Sequence, residues 1–359
     1  MHDRIVIEQM KLSEKDNVLA FLKTAYADNP RHADPEFWDW HFPASPFCDP
    51  DNLPIWLAKS GGRIAGQLAA TPVEFNVGGE IVSAIWILDL IVDPAFRRKG
   101  IAKNLALASK DFCPFVLGVN TSAQHSTELL EGLGWVIFTK IPRFQKILFP
   151  GNAMRETAGI GPLRSAANLA FAPLRPSLKE LVRGQQKVKI LDSFDSSFDD
   201  LWSDAKDQWN CSVSRTSAML NWQFREQPGK RFEILGYFDG NKLRGYAVLF
   251  FRKPDSHGLI SKSAVSDICY HPERPQEIVD ALLQGALKLS LERRVGSLVT
   301  DALDPLVEER LGRLGFWRVK SDLQLLANVP EERQWLYDPA KWFLTRGDSD
   351  ISIFEAPNL

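Results

Sequence analysis

The sequence predicts an α+β protein made of two tandem copies of one fold. The first observation is an internal repeat. Trp38-Asp39-Trp40-His41-Phe42 is echoed by Leu220-Asn221-Trp222-Gln223-Phe224, and the turn Gly61-Gly62-Arg63-Ile64-Ala65-Gly66 by Gly240-Asn241-Lys242-Leu243-Arg244-Gly245. Asp89-Leu90-Ile91-Val92-Asp93-Pro94 matches Asp267-Ile268-Cys269-Tyr270-His271-Pro272, and Leu133-Gly134-Trp135 matches Leu314-Gly315-Phe316. The offsets are 182, 179, 178 and 181, so four short matches keep one order at nearly one spacing. The second observation is that each copy alternates apolar runs of strand length with amphipathic segments of helical period. The third is the length: 359 residues suit about two domains at roughly 150 residues each.

In the first copy, Arg4 to Met10 reads as an edge strand. Ser13-x-x-Asp16 resembles a capping box, with Asp in place of Glu, before an amphipathic helix to Tyr26. A second short helix carries Trp38 and Trp40. Strands are predicted from Ile55 to Lys59 and, past a Gly-Gly turn, from Ile64 to Phe75. Asn76-Val77-Gly78-Gly79 then turns the chain into a long strand ending near Val92. A helix from about Arg98, a short strand from Phe115 to Val119, a helix from about Ser122 to Leu133 and strands from Trp135 to Leu148 complete the copy. The predicted organisation is a first domain over 1–150, a connector over 151–186, a second copy over 187–327 and a tail over 328–359. The connector reads as one or two short helices packed on a domain, and its polar face is not notably basic, as a membrane-surface helix would need. Trp335, Trp342 and Phe343 are the expected anchors of the tail.

Composition narrows the function classes. Hydrophobic residues make up 45% and charged residues 25%, which excludes a disordered chain, a collagen-like fibre and a coiled coil. Lys+Arg is 43 against Asp+Glu 45, a net charge of −2, so no global basic field exists to hold nucleic acid or an anionic membrane. The most apolar stretch, Ala84 to Val92, is broken by Asp89 and is too short to span a bilayer. The N-terminus lacks a signal-peptide core. Cys48, Cys113, Cys211 and Cys269 never form a C-x-x-C pair, a spacing that suits neither a metal site nor a disulfide framework. The expectation is a soluble cytoplasmic protein with no metal, no membrane span and no nucleic-acid partner.

The run Leu88 to Leu105, LDLIVDPAFRRKGIAKNL, carries the chemistry. An apolar strand ends at Val92, Asp93-Pro94 breaks it, and a helix opens near Gly100. A helix N-terminus offers unpaired N–H groups and the positive end of the macrodipole, which suit a phosphate or pyrophosphate. Gly100 and the small Ala102 let a ligand approach the backbone, and Arg97, Arg98, Lys99 and Lys103 add positive charge. An ordinary strand-to-helix loop with a solvated basic cluster is the plain alternative.

Arg97-x-x-Gly100-x-Ala102 after a strand ending in V-x-P resembles the acetyl-CoA motif of the GNAT superfamily of N-acetyltransferases. Leu129-Leu130-Glu131-Gly132-Leu133-Gly134-Trp135 resembles that family's helix-to-strand signature, and the order of elements upstream is similar. The resemblance covers most of 1–150, and the repeat extends it to about 187–327. It implies two tandem GNAT folds, each a mixed, mostly antiparallel twisted sheet flanked by helices. It also implies acetyl-CoA as co-substrate, a small-molecule amine as acceptor, and direct attack on the thioester. By the same resemblance, Leu90, Ile91 and Val92 would pair with the pantetheine arm. Arg97, Arg98, Lys99, Gly100, Ile101 and Ala102 would cradle the pyrophosphate, and Asn120 would contact the arm. The second copy lacks this loop: after His271-Pro272 it reads Glu273-Arg274-Pro275-Gln276-Glu277, with no glycine and two carboxylates. One acyl-CoA site, in the first copy, is expected.

Proton transfer needs a group near the end of the long strand. Asp89 is a candidate, although Asp267 holds its place in the second copy and argues for a role in the fold. The family's usual Tyr acid is matched by Leu130, a departure that leaves His125, Ser126, Glu128 or no protein acid. Trp38, Trp40 and Phe42 are candidate acceptor contacts, with core packing as the alternative. Asp348 and Asp350 of Thr345-Arg346-Gly347-Asp348-Ser349-Asp350 are candidate holders of an amine or of sugar hydroxyls, with a polar turn as the alternative. Among acceptors the resemblance leans toward an amino sugar or a nucleotide-linked amino sugar. The rival readings are a Fem-type aminoacyl ligase, which the near-neutral charge and the intact loop oppose, and a non-catalytic acyl-CoA sensor or scaffold, which Leu130 favours.

Overall fold

In a computed structural model of the chain, the described residues are 4–121, 124–154, 161–177, 181 and 185–348. The first unit begins with β1 (Val6–Gln9), α1 (Lys15–Ala25) and α2 (Pro35–His41). Here Glu14, and not Asp16, closes the box before α1: the Lys11 N–H donates to its carboxylate at 3.0 Å. Asp34 caps α2 by accepting from the amides of Glu36 and Phe37, and Pro35 fits the first helical position, where no N–H is needed. Then come β2 (Ile55–Ser60), β3 (Arg63–Val77), β4 (Glu80–Val92), α3 (Ile101–Phe112), β5 (Val116–Thr121), α4 (Gln124–Glu131), β6 (Val136–Lys140) and β7 (Arg143–Ile147). The connector contributes α5 (Gly161–Ala170).

The second unit repeats the series: β8 (Val188–Leu191), α6 (Ser196–Ala205), an added β9 (Cys211–Val213), α7 (Ser217–Phe224), β10 (Phe232–Asp239), β11 (Lys242–Phe251) and β12 (Lys262–Tyr270). It continues through α8 (Pro275–Glu292), β13 (Ser297–Leu303), α9 (Pro305–Arg313), β14 (Trp317–Val319) and β15 (Leu323–Asn328), and the tail adds β16 (Leu344–Thr345). Among the described residues, no helix is long and apolar enough to cross a membrane.

Two eight-stranded sheets result. The first runs β1-β2-β3-β4-β5-β15-β6 with β9 on β3; the second runs β14-β7-β13-β12-β11-β10-β8 with β16 on β13. Among the described strands, β4–β5 and β12–β13 are the pairs that run parallel, so both sheets are mixed and mostly antiparallel, as predicted.

The predicted closing of each copy is corrected by this order. The strands from Trp135 to Leu148 do not close one sheet: β6 stays in the first, while β7 crosses into the second and pairs with β13 from Ser297↔Ile147 to Asp301↔Arg143. In return β15 enters the first sheet between β5 and β6. The seam at 150 therefore divides the sequence but not the sheets. The physical reason is the duplication itself: both sheets offer the same slot, and a short alternating strand carries no mark of which sheet it fills.

The units also share a core. Phe75, Trp86, Val213, Trp222, Leu325 and Trp342 lie in one buried cluster with Trp40. The Trp40 and Trp222 rings stack with centroids 4.9 Å apart. Of the predicted tail anchors, Trp342 and Phe343 are buried, whereas Trp335 remains 37% exposed.

Candidate active site

The site grows from an irregularity in β4. Between the pairs Gln67↔Ile91 and Ala69↔Leu88, β3 places one residue opposite two of β4, Asp89 and Leu90. This bulge puts Asp89 at φ +50°, a left-handed conformation that short polar residues tolerate best. It sends the carboxylate toward the turn that joins α1 to α2. Tyr26 Oη donates to Asp89 Oδ1 at 3.0 Å, and His32 Nδ1 lies 3.3 Å from the same oxygen. The Tyr26 and His32 rings stack at 3.9 Å, and the side chains of Asp89 and His32 are both at least nine-tenths buried. Behind them His41 is fully buried with Nε2 2.9 Å from Thr71 Oγ1, and burial pushes its ring down to about 4. Neither Tyr26 nor His32 stands out in the sequence; they meet Asp89 only because the bulge turns it toward them.

Past the bulge, β4 loses a neighbour. Its pairing with β5 covers only Ile85↔Val116, Trp86↔Leu117 and Ile87↔Gly118, while on the other edge β3 follows it to Gly66↔Val92. The strands splay, and among the described residues the β5-side edge from Leu88 to Val92 has no strand partner. Asp93 and Pro94 start a short turn, and α3 opens at Ile101 rather than near Arg98. Gly100 caps α3 at φ +74°, and a Cβ placed there would meet nothing within 4 Å. The first helical bond of α3 is Asn104 N–H to Gly100 O, so the amides of Ile101, Ala102 and Lys103 have no helical partner. Arg97, Arg98 and Lys99 are exposed around this opening, and Arg97 Nε donates to Val92 O at 3.3 Å. A cavity of about 720 Å³ lies between this strand end and α1, walled by Glu14, Phe21, Lys59, Ile91, Val92 and Arg97 among others. Lys59 donates to Glu14 at 2.5 Å, and that bond holds the Glu14 carboxyl below its usual range.

The equivalent opening in the second unit is filled by the chain itself. There β12 pairs with β13 only from Lys262↔Ser297 to Val265↔Thr300, and β16 then takes the free edge of β13 at Ala302↔Thr345 and Leu303↔Leu344. Gly347 packs so closely that a Cβ would lie 3.1 Å from Ser266 O. Asp267, the counterpart of Asp89, is tied up by Arg215, Tyr246 (2.6 Å) and Thr345 (2.7 Å). The two copies of this aspartate therefore sit in different surroundings.

The remaining predicted site residues fall as follows. Trp38 and Trp40 are buried in packed clusters and do not line this cavity, which is the core packing named as the alternative. Leu130 is buried against β-sheet residues and supplies no acid. Asn120 lies on β5 opposite Gln324, and His125 lies on α4; their side chains, and Asp350, fall outside the described residues. Glu128 is exposed on α4. Asp348 lies at the domain junction, where its Oδ2 accepts from Arg215 Nη2 at 2.6 Å and from the Thr345 amide at 2.6 Å. Burial raises its carboxyl despite the guanidinium. Among the described residues, no three His, Cys, Asp or Glu side chains group as a metal site would require.

Residues 6–111 match the family described as Acetyltransferase (GNAT) domain. Over this stretch the first unit is similar to a GNAT domain. No curated protein sequence matches the chain. Among solved structures, a GCN5-related N-acetyltransferase from Anabaena variabilis is 12% identical with a TM-score of 0.62, over 92% of this chain and 74% of that one. A probable N-acyltransferase from Enterococcus faecalis is 13% identical with a TM-score of 0.58, over 90% and 72%. The N-myristoyltransferase of Saccharomyces cerevisiae with bound myristoyl-CoA is 10% identical with a TM-score of 0.58, over 90% and 82%. These likenesses span both units and establish a tandem GNAT fold for the whole chain.

Proposed function

We propose that the chain is an acyl-CoA-dependent N-acyltransferase that moves an acetyl group from acetyl-CoA to the primary amine of a small molecule. The observation that carries this reading is the meeting, at one end of β4, of an unpaired strand edge, an open glycine-capped helix terminus and a buried carboxylate. The edge from Leu88 to Val92 offers N–H and C=O groups to the amide-bearing arm of CoA. The free amides of Ile101, Ala102 and Lys103, flanked by Arg97, Arg98 and Lys99, suit its pyrophosphate. The residues present suit the co-substrate: a Cβ built at Gly100 would meet none of the described residues beyond its chain neighbours within 4 Å, which leaves the backbone open to a ligand. The myristoyl-CoA of the yeast structure supports an acyl-CoA on this fold. In this reading the second unit, its opening filled by residues 344–348, holds no cofactor and walls the acceptor side.

The transfer follows from these groups. The amine nitrogen attacks the thioester carbonyl carbon, the C–N bond forms, and the carbonyl oxygen gains negative charge that N–H groups at the β4 edge stabilise. Collapse breaks the C–S bond. The surplus proton on nitrogen passes to Asp89, directly or through one water, and the CoA thiolate takes its proton from solvent. Tyr26 and His32 position the Asp89 carboxylate. His41, kept neutral by burial, adds no charge behind it.

Calorimetry with acetyl-CoA tests the reading. The native protein is expected to bind at micromolar concentration and the Gly100→Glu variant not to bind, because the substitution puts bulk and negative charge in the pyrophosphate cradle. Absence of binding to the native protein would overturn it.

A further inference from the structure

The cavity of about 720 Å³ between α1 and the end of β4 shares a wall with the phosphate loop. Arg97 lines it, and Arg97 lies just before Gly100, the cap of the helix whose first amides are free. The facing wall is one stripe of α1, where Asn17, Phe21 and Thr24 recur at helical spacing. The volume falls within the roughly 300–1,000 Å³ of small-ligand sites. Neither Asp89 nor Tyr26 lines the cavity, so an acceptor amine bound in it would not face the proposed base.

The charged groups around this cavity are unequally committed. Glu14 accepts from Lys59 at 2.5 Å and from the Lys11 amide at 3.0 Å, and Asp93 accepts from the Ala95 amide at 2.8 Å. Lys59 also donates to Glu8 at 2.9 Å. Arg63, by contrast, is exposed, and its side chain makes no hydrogen bond or ion pair among the described residues. Arg97 spends only Nε, on the Val92 carbonyl, so both of its Nη groups are free among the described residues. The exposed Asn17 likewise leaves its carboxamide unused, and the Phe21 ring on the same stripe is half-buried. A ligand in the cavity therefore meets guanidinium groups free to bind an anion, a carboxamide free to pair, and an aromatic ring.

We propose that this cavity receives the 3′-phosphoadenosine end of acyl-CoA. The adenine edge offers a donor and an acceptor side by side, which a carboxamide answers with two hydrogen bonds, so Asn17 pairs with the base. Phe21 supplies the ring against which the base lies. The 3′-phosphate is a monoester with close to two negative charges, and planar guanidinium groups suit its oxygens, so Arg63 and the Nη groups of Arg97 take it. Arg97 then stands between two anionic groups of one ligand: the pyrophosphate at the amides of Ile101 to Lys103, and the 3′-phosphate in the cavity. The protein thereby distinguishes CoA from a donor that carries the same pantetheine arm without this nucleotide. The assignment rests on the acyl-CoA reading above.

Calorimetry on the full-length protein compares acetyl-CoA, its 3′-dephospho form and S-acetyl-4′-phosphopantetheine. Loss of the 3′-phosphate is expected to weaken binding about 10- to 100-fold, the cost of its charged hydrogen bonds. Arg63→Gln is expected to weaken acetyl-CoA about tenfold and to leave the dephospho form within about twofold. Asn17→Leu is expected to weaken both nucleotide forms about three- to tenfold and to leave the phosphopantetheine ester unchanged. Both positions are exposed, and the ligand that each variant still binds as the native protein does reports an intact fold. Equal binding of acetyl-CoA and its dephospho form would overturn the assignment. So would an Arg63→Gln loss shared equally by the two, or an Asn17→Leu effect that is absent or extends to the phosphopantetheine ester. Failure of all three ligands to bind the native protein would instead overturn the acyl-CoA reading, and this assignment with it.

Discussion

The indole N–H of Trp40 donates to the carbonyl of Trp222 at 2.8 Å, and the indole of Trp222 returns the bond to the carbonyl of Trp40 at the same distance. The two residues are 182 apart, the offset of the repeat, so equivalent positions of the two copies hold each other. Trp40→Phe keeps the aromatic stack but leaves the Trp222 carbonyl unanswered, which costs about 1–3 kcal/mol. Trp40→Ala removes the ring as well and costs about 3–5 kcal/mol. Urea unfolding of the single variants and of the double variant with Trp222→Ala measures this. Strictly additive losses would show that the two rings do not couple.

Asp89→Asn is expected to lower kcat about 10²- to 10⁴-fold while acetyl-CoA affinity stays within about twofold. Asn tolerates the left-handed backbone at this bulge, so the geometry is kept. Tyr26→Phe removes one donor to the carboxylate and is expected to move the acid limb of the pH–rate profile upward. Full activity in Asp89→Asn would show that Asp89, like Asp267, serves only the fold.

Stability should depend on pH through His41. Its ring titrates near 4 when folded, against 6.5 for a free histidine, because burial disfavours the cation. Above pH 6.5 both states are neutral and the contribution is complete. As pH falls toward 4 the unfolded chain takes up a proton that the folded chain refuses, so stability drops by about 1.4 kcal/mol per pH unit, about 3 kcal/mol in all. His41→Gln is expected to flatten that part of the curve of unfolding free energy against pH. Equal slopes in variant and native protein would place the titration elsewhere.

Cutting the chain at residue 150 should not yield a folded first unit. The fragment lacks β15, whose Leu323, Leu325 and Leu326 are buried between β5 and β6. It also carries β7 with no partner. Broad, non-cooperative melting and fast proteolysis are expected for residues 1–150 alone, and a sharp transition for the full chain. A cooperative transition in the fragment would show that the exchanged strands are not needed.

The repeat was legible because Trp40 and Trp222, and the Asp-Pro and His-Pro strand ends, kept their spacing. The opening of α3 was legible because Gly100 must supply a left-handed cap, a demand that local sequence states openly. The exchange of β7 and β15 was not, since each strand fits the same slot in either sheet. Tyr26 and His32 were hidden for a different reason: they reach Asp89 across 63 and 57 residues through a bulge that no motif announces. The inward turn of Thr345 and Asp348 is hidden in the same way. Thr345 and Asp348 look like a polar turn, yet they are drawn inside by a buried arginine on another element.

The exchanged strands also set an order of events during synthesis. The first sheet ends with β6 at Lys140, but its penultimate strand closes at Asn328. At about 5–20 residues per second, roughly ten to forty seconds separate the emergence of the two from the ribosome. Through that interval the nascent first unit exposes two open strand edges, those of β5 and β6, each able to pair wrongly with another chain. A protein joined this way trades independent early folding for a junction that cannot be pulled apart without unravelling both sheets.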